Sequence, residues 1–350
     1  MSKNVDEIYM LRCIDLAKNG LGTTYPNPLV GSVIVYNNKI IGEGWHRKSG
    51  EAHAEINAIS SVKDPSILKN STLYVSLEPC SHYGKTPPCA LKIVDLKFKK
   101  VVVGITDPTS KVNGKGIELI RNSGIEVVTG ILENECKKLN KRFITYHLKK
   151  RPYIILKWAE TLNKKIDNGE DRNQPFWISN PFSIQKSHVV RNEEQSILVG
   201  KNTALIDNPN LTTRTIYGKN PIRLLIDKNL EIPLSHNILN EQADTFIFNK
   251  KISKSNNHLN YFKLNFDKDI IPQIIKILYD KNIQSVIVEG GERTLQHFID
   301  LGIWDEAIII TSQTLIKNGT NAPTLYGEII NQELLGNNLI SYLKNSSALY

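Results

Sequence analysis

One histidine and two cysteines between residues 53 and 89 are the side chains best suited to chemistry in this chain. His53, Cys80 and Cys89 offer an imidazole and two thiolates, which zinc prefers, and a catalytic zinc takes three protein ligands and keeps its fourth position open. Glu55 follows His53 by two residues, so its carboxylate can reach the same site without coordinating. The pattern predicts one zinc ion per chain, with Glu55 as the residue that moves protons.

The same residues have plainer interpretations. A lone histidine is commonly a core or surface residue, and cysteines in a reducing compartment are commonly buried thiols. A structural zinc would need a fourth protein ligand, for which His82 is a candidate. A zinc module without activity would leave Glu55 without a role. The order His-Ala-Glu, Pro-Cys and Pro-Pro-Cys favours a catalytic zinc. Cys13 and Cys136 lie in helical patterns and are predicted to be structural.

Alternating helix-like and strand-like patterns in the first half must position these residues. Apolar residues at helical spacing predict helices, and short apolar runs predict strands. Helices are predicted over 6–19, 52–62, 89–96, 114–123 and 131–142, and strands over 30–36, 40–45, 72–77, 101–105 and 125–128. This alternation indicates an α/β sheet covered on both faces. Helices that begin near the predicted ligands would direct backbone N–H groups at the metal.

A basic segment at 147–152 ends in proline and predicts a boundary between two domains, 1–146 and 152–350. The second half alternates again, which indicates a second α/β domain. Its strands are predicted over 153–158, 196–200, 222–227, 244–248, 284–289 and 306–311, and its helices over 180–193, 271–281 and 292–301. The polar segment 163–175 is predicted to be a mobile loop over a site.

Composition argues against several classes of protein. The chain has 350 residues, 40% of them hydrophobic and 23% charged, which is typical of a globular protein of about two domains. No apolar run approaches the ~18 residues of a membrane helix, and the N-terminus lacks the apolar core of a secretory signal. A cytoplasmic protein without membrane partners is expected. The net charge of +9 includes no run of five basic residues, so nucleic acid is not an expected partner.

Several segments carry a resemblance to a known family. They are Thr23–Gly31, Gly42–His46, His53–Glu55 and Glu78–Cys89 in the first half, and Lys157–Thr161, Trp177–Ser179, Asn202–Arg214 and Val288–Gly291 in the second. They resemble the bifunctional deaminase/reductase of riboflavin biosynthesis, along essentially the whole chain. Eight residues separate Cys80 from Cys89, whereas cytidine and tRNA adenosine deaminases have two there. That interval argues against a nucleic-acid base deaminase with a basic accessory domain.

The resemblance implies a cytidine-deaminase-like α/β/α domain followed by a dihydrofolate-reductase-like α/β domain. It implies zinc-dependent hydrolytic removal of the 2-amino group of 2,5-diamino-6-(5-phosphoribosylamino)pyrimidin-4-one, and then NADPH-dependent reduction of the ribosyl chain to ribityl. The partners are therefore phosphorylated pyrimidine small molecules, and a homo-oligomer is left open. The deaminase contacts with substrate that it implies are Asn27, His46, His82 and Lys85.

The resemblance also implies a reductase site in the second half. The positions that match cofactor binding are Trp177, Thr203, Asp207, Gly290, Gly291 and Thr294. Those that match catalysis or substrate binding are Lys157, Arg191, Leu211, Arg214 and Glu289. A Gly-Gly pair after an apolar strand suits close approach to a phosphate, and a guanidinium fork suits a phosphate likewise.

The chain departs from the family in the loop after Lys157. Relatives commonly read Ser-Leu-Asp-Gly where this chain has Thr161-Leu162-Asn163-Lys164. The missing Asp and Gly put the geometry of that loop in question. An active deaminase whose second domain binds nucleotide without reducing is therefore kept as the alternative function.

Overall fold

The computed structural model describes residues 4–83, 87–109, 112–169 and 176–346. The chain divides into two compact units, Met1–Lys150 and Arg151–Tyr350. Each unit has its own sheet and its own apolar cores. Among the described residues, no helix combines the length and apolar character that crossing a membrane requires.

The first unit is a five-stranded sheet with helices on both faces. Its helices are α1 (Val5–Lys18), α2 (Ala54–Ser60), α3 (Cys89–Asp95), α4 (Lys115–Asn122), α5 (Glu133–Leu139) and α6 (Lys141–Lys149), with a 3-10 helix at Pro65–Asn70. Its strands are β1 (Gly31–Tyr36), β2 (Lys39–Trp45), β3 (Thr72–Leu77), β4 (Lys100–Ile105) and β5 (Glu126–Thr129). The order is β2-β1-β3-β4-β5, and β3, β4 and β5 are parallel.

The turn between β1 and β2 follows from two asparagines. Asn37 and Asn38 have φ angles of 47° and 59°, and a two-residue hairpin turn of the type that matches strand twist needs positive φ at both positions. Asparagine tolerates that region better than most residues. The turn joins the strands predicted over 30–36 and 40–45 as an antiparallel hairpin.

The single helix predicted over 131–142 is wrong, because α5 and α6 meet at Asn140. The Asn140 side chain is buried, accepts the Leu29 N–H (2.8 Å) and donates to the Leu29 carbonyl (2.9 Å). The Asn140 amide thus makes the pair of backbone hydrogen bonds that a neighbouring β-strand would make, to a residue 111 positions away in the chain. The helical spacing of apolar residues carries no trace of that long-range contact.

Each face of the first sheet has its own core. One core packs α2, α3 and α4 on the sheet through Ala58, Ile93 and Ile120. The other packs α1 and α5, and Cys13 and Cys136 lie inside it fully buried. Their burial agrees with the prediction that both thiols are structural.

The second unit is a ten-stranded mixed sheet, also covered on both faces. Its helices are α7 (Pro181–Glu193), α8 (Lys201–Asp207), α9 (Ile270–Asp280) and α10 (Glu292–Asp300), with a 3-10 helix at Asn237–Leu239. Its strands are β6 (Tyr153–Glu160), β7 (Ser196–Gly200), β8 (Ile222–Ile226), β9 (Thr245–Asn249), β10 (Lys254–Asn256), β11 (Leu259–Lys263), β12 (Ser285–Val288), β13 (Glu306–Ser312), β14 (Glu328–Leu335) and β15 (Asn338–Lys344).

The strand order is β10-β11-β9-β8-β7-β12-β6-β13-β15-β14. In this order, the seven strands from β11 through β13 are all parallel to one another. β10 is antiparallel to β11, β15 is antiparallel to β13, and β14 is antiparallel to β15. One core lies against α9 and α10, and the other lies against α7 and α8. Sequence patterns missed β10, β11, β14, β15 and α8. Most of β14 is exposed and all of β10 is. β10 has no apolar residue, and the apolar residues of β14 stand in two adjacent pairs, so neither strand shows the alternation that predicts one.

The loop after β6 keeps an ordered geometry despite its departure from the family pattern. Asn163 accepts the Thr161 hydroxyl (2.8 Å) and the Ile316 N–H (3.2 Å), and its amide donates to the Ile316 carbonyl (2.7 Å). Lys164 has φ 62°, a conformation that favours glycine. Its ammonium donates to Glu160 (2.5 Å), whose side chain is 1% exposed. Part of the predicted mobile loop, 170–175, lies outside the described residues.

We expect Lys164→Gly to be more stable to unfolding than Lys164→Ala by about 1 kcal/mol. Both variants lose the contact with Glu160, so their difference isolates the cost of a Cβ in the left-handed region. Thermal or urea unfolding of the two variants measures it. Equal stability would mean that residue 164 leaves this conformation in solution.

Candidate active sites

Three ligand atoms meet in the first unit at distances that fit zinc. His53 Nδ1 lies 3.6 Å from Cys80 Sγ and 3.3 Å from Cys89 Sγ, and all three atoms are within 4.8 Å of one another. Bonds of about 2.1 Å to nitrogen and 2.3 Å to sulfur at a tetrahedral angle separate two ligand atoms by about 3.6 Å. The donor set therefore fits a zinc ion with a fourth, open position.

Two helix starts and a strand end hold this site. His53 is the N-cap of α2, and Cys89 is the first residue of α3. Cys80 follows the carboxyl end of β3, and its sulfur accepts the backbone N–H of Cys89 at 3.3 Å. Because a helix N-terminus favours negative charge, both helices favour thiolates here. The predicted helix starts at the metal are confirmed.

Cys80 and Cys89 shift the pKa of each other's thiol in opposite directions. A hydrogen bond from Cys89 lowers the pKa of Cys80 to about 4, despite partial burial. The same bond, together with burial, raises the pKa of Cys89. A cysteine binds metal as its thiolate, so one ligand is already in the binding form at neutral pH.

Glu55 lies in the first turn of α2 and is 3% exposed. Burial raises the pKa of its carboxyl group to about 7, against the opposing charge of His53. Its carboxylate also interacts with Cys80 and Cys89, which places it beside the ligands. A carboxyl group whose pKa is near the working pH both takes and returns protons.

Glu78 is a residue that sequence reasoning missed. Its buried carboxylate accepts four backbone N–H groups, two at each oxygen, from Asp107 (3.1 Å), Gly114 (2.9 Å), Gly116 (2.8 Å) and Ile117 (3.3 Å). These bonds tie the start of α4 to the segment that carries Cys80. A glutamate directly before Pro-Cys is the only local signal for this role.

Asn27 and His46 form a pair behind the metal ligands. The His46 ring is 3% exposed, and its Nδ1 lies 3.1 Å from the Ala52 carbonyl, so Nδ1 carries the proton. Nε2 is then the acceptor for the Asn27 amide at 3.0 Å. Burial lowers the pKa of His46, which keeps this arrangement neutral. The His46 ring also meets the His53 ring edge-on at 5.5 Å.

The remaining two residues implied for deaminase substrate lie between the cysteines. His82 is exposed, and the group of metal ligands found among the described residues does not include it. The interpretation as a structural zinc with His82 as fourth ligand is therefore not supported. Lys85 lies outside the described residues.

Strand register brings the reductase candidates of the second unit together. β12 runs parallel to β6 with Val288 opposite Leu156, so Glu289 and Lys157 lie side by side. The Lys157 ammonium is 3.2 Å from Glu289 Oε1, and Arg191 Nη2 is 2.7 Å from Oε2. Two cations thus flank one carboxylate in a largely buried cluster.

Charge interactions decide the protonation of this cluster. Burial alone would raise the pKa of Glu289, but Arg191 and Lys157 outweigh it and hold the pKa at about 2. Burial lowers the pKa of Lys157, and the charge of Glu289 opposes that shift. Glu289 is therefore a carboxylate at every pH at which an enzyme works.

The cluster also has unused hydrogen-bonding capacity. Among the described residues, Glu289 Oε1 and Arg191 Nε are buried without a hydrogen-bond partner. Lys157 is ion-paired with that Oε1 atom at 3.2 Å, whereas Arg191 Nε has no such partner in the described part of the chain. Buried polar atoms are rarely left without a partner, so Arg191 Nε indicates a place for a polar ligand beside the cluster.

The segment 211–214 borders the cluster. Leu211 is a buried leucine with φ 53°, a strained conformation that tends to occur at functional sites. The Thr212 carbonyl accepts Arg191 Nη1 at 3.4 Å, and the Thr212 hydroxyl accepts Arg214 Nη1 at 3.3 Å. Arg191 is therefore engaged with Glu289, whereas Arg214 is exposed and keeps most of its donors for a ligand.

The Gly-Gly pair packs closely on the end of β7. A Cβ on Gly290 would lie 2.6 Å from Val199 Cα, and Gly291 has φ 60°. A Cβ on Gly291 would lie 3.4 Å from Thr203 Oγ1, and one on Gly200 would lie 2.8 Å from Thr294 Oγ1.

Thr203, Gly291 and Thr294 thus surround the N-terminus of α10, where backbone N–H groups suit a phosphate. Asp207 is one turn beyond Thr203 on α8, and Trp177 is 68% exposed.

Two family sequence profiles match the chain. The RibD C-terminal domain matches residues 152–340. The cytidine and deoxycytidylate deaminase zinc-binding region matches residues 3–105.

Curated relatives named riboflavin biosynthesis protein RibD are similar along nearly the whole chain. The protein from Aquifex aeolicus is 37% identical over 364 residues, covering 98% of this chain and 99% of the relative. The protein from Bacillus amyloliquefaciens is 40% identical over 332 residues, covering 92% and 88%. A crystal structure from Thermotoga maritima, of a diaminohydroxyphosphoribosylaminopyrimidine deaminase/5-amino-6-(5-phosphoribosylamino)uracil reductase, has a TM-score of 0.90 at 36% identity and covers 97% and 99%.

Fold and site define a cytidine-deaminase-like zinc domain joined to a dihydrofolate-reductase-like reductase domain, which confirms the predicted fold class. The chain belongs to the RibD family, the bifunctional deaminase/reductases of riboflavin biosynthesis. The predicted activities, and the cofactors zinc and NADPH, are those of this family.

Proposed function

We propose that residues 1–146 carry out the deamination and residues 152–350 carry out the reduction. His53, Cys80 and Cys89 would hold the zinc, and a zinc ion there supplies a nucleophile from water at neutral pH. The two distances from His53 Nδ1 to the sulfurs of Cys80 and Cys89, 3.6 and 3.3 Å, carry this assignment, since they are close to those of a tetrahedral site.

In the deaminase site, Glu55 takes one proton from the attacking water and delivers it to the ring nitrogen. It then takes the second proton from the hydroxyl now on the ring carbon and delivers it to the amine, which leaves as ammonia. The burial of Glu55 beside the ligands and its pKa near 7 support this role. Asn27 holds the ring, and His46 fixes the Asn27 amide through their 3.0 Å contact. His82 and Lys85 are proposed to contact the ring or the phosphate.

In the reductase site, Thr203, Asp207, Gly290, Gly291, Thr294 and Trp177 are proposed to bind NADPH. NADPH supplies the hydride that reduces ribosyl C1′, and the protein orients it. Lys157 and Glu289, held together as a buried ion pair, are proposed to meet the sugar, with the Glu289 carboxylate accepting a sugar hydroxyl. Leu211 borders the substrate, Arg191 holds Glu289, and Arg214 binds the phosphate.

Removing zinc tests the division of labour between the sites. We expect chelated protein to lose ammonia release from the diaminopyrimidinone and to regain it when Zn²⁺ is added back. NADPH oxidation with already deaminated substrate should persist throughout, because the zinc ligands all lie in the first unit. Cys80→Ser should lose zinc and ammonia release together.

Full ammonia release from metal-free protein would refute the zinc assignment. An unmodified protein that never oxidises NADPH would instead favour the alternative of a second domain that binds nucleotide without reducing.

A further inference from the structure

His188 lies inside the reductase site, yet neither motif nor composition singles it out. It precedes Arg191 by three residues on α7, so both side chains lie on one face of the helix. The ring is 2% exposed. It interacts electrostatically with Arg191, Arg214, Glu289 and Lys157, which places it among the charged residues of the site.

The ring has one defined contact across the site. His188 Nδ1 accepts the backbone N–H of Arg214 at 3.1 Å, so the neutral ring carries its proton on Nε2. Burial, together with the charges of Arg191 and Arg214, lowers the pKa of His188 to about 4. The ring therefore stays neutral at working pH, and Nδ1 remains an acceptor.

This contact joins α7 to the segment that carries the exposed arginine. The backbone of Arg214 is held by His188, and its guanidinium is held only by the Thr212 hydroxyl at 3.3 Å among the described residues. A backbone anchor on a buried ring restricts where the guanidinium can go, and such restriction lowers the entropy cost of ligand binding.

We propose that His188 is a positioning residue of the reductase, which sets Arg214 for the phosphate of the substrate by accepting its backbone N–H. This role rests on the proposed assignment of Arg214 to the phosphate. It predicts an effect on substrate KM rather than on hydride transfer.

The test is the steady-state reduction of deaminated substrate by His188→Leu, which removes the acceptor. We expect KM to rise roughly five- to tenfold, the range for losing a hydrogen bond between neutral groups, with kcat within about threefold. His188→Asn should restore most of KM, because its amide oxygen can occupy the place of Nδ1, whereas His188→Gln puts its oxygen near Nε2 and should not. Equal behaviour of the Asn and Gln variants overturns the proposal, even if the Leu variant does not fold.

Asn192→Ala is the matched control on the same helix. Asn192 also anchors the loop after Arg214, by accepting the Lys219 N–H at 2.9 Å. Lys219 follows Arg214 by five residues, so this contact does not hold the backbone of Arg214 itself. The KM of the Asn192→Ala variant should stay within about threefold of the KM of the unmodified protein. A rise equal to that of His188→Leu would mean that general loosening of the loop is responsible, and would overturn the proposal.

Arg214→Ala separates this inference from the site assignment. A large rise in KM for Arg214→Ala, with no further rise in the double variant with His188→Leu, supports both, because two residues acting through one contact are not additive. If Arg214→Ala raises KM and His188→Leu does not, only the positioning role is wrong. If Arg214→Ala leaves KM unchanged, the phosphate assignment itself is wrong, and the role of His188 is wrong with it.

Discussion

Replacing Glu55 by Gln is expected to slow ammonia release by ~10²–10⁴-fold while the protein keeps its zinc. General acid–base catalysis is worth that much, roughly 3–5 kcal/mol of barrier. The amide keeps the shape of a side chain that is 3% exposed in the first turn of α2, but it cannot accept the proton of the attacking water. Measured metal content and initial rates of ammonia release check the two halves of this prediction.

Glu118→Gln is the matched control. Glu118 is an exposed glutamate on α4 in the same unit, and the same loss of charge there should leave ammonia release within about twofold. A loss below about tenfold in Glu55→Gln would show that another group moves the proton. Loss of zinc along with activity would make Glu55 part of the metal site rather than the proton carrier.

Replacing Lys157 by Met is expected to slow NADPH oxidation on deaminated substrate by ~10²–10³-fold, the usual cost of removing one preorganised charged donor. The ammonium lies 3.2 Å from Glu289 in a largely buried cluster, where charge interactions are stronger than in water. Arg191 still neutralises Glu289 in this variant, so the fold should survive. Ammonia release should be unchanged, because Lys157 and the zinc ligands belong to separate units, each with its own sheet and cores.

Glu289→Gln is the harsher test of the same cluster. It leaves the buried Lys157 and Arg191 without their carboxylate, and breaking a buried ion pair from one side costs about 3–5 kcal/mol. We therefore expect lost reduction together with a lower unfolding temperature. Lys276→Met, at a 75% exposed lysine on α9, is the control for removal of a lysine charge. If both Lys157→Met and Glu289→Gln oxidise NADPH normally, the reductase site lies elsewhere.

Much of the architecture could be predicted, because regular elements with one buried face leave a period in the sequence. The helix starts at His53 and Cys89 were predicted, and both are observed. The exposed strand β14, which pairs with β15, was missed because its apolar residues stand in two adjacent pairs and do not alternate with polar ones. The break at Asn140 was also missed, because its partner is Leu29, far away in the chain.

The amino-acid sequence by itself determined the chemistry of the deaminase site. The histidine, the two cysteines and the glutamate stand in short motifs at helix and strand ends, so residue type and local spacing were enough to predict a zinc site. Tertiary structure alone decided the reductase cluster. Lys157, Arg191 and Glu289 are far apart in sequence, and they meet because β12 pairs in parallel with β6 and α7 packs over both. Pairing register and helix packing depend on contacts between distant segments, which no local pattern encodes.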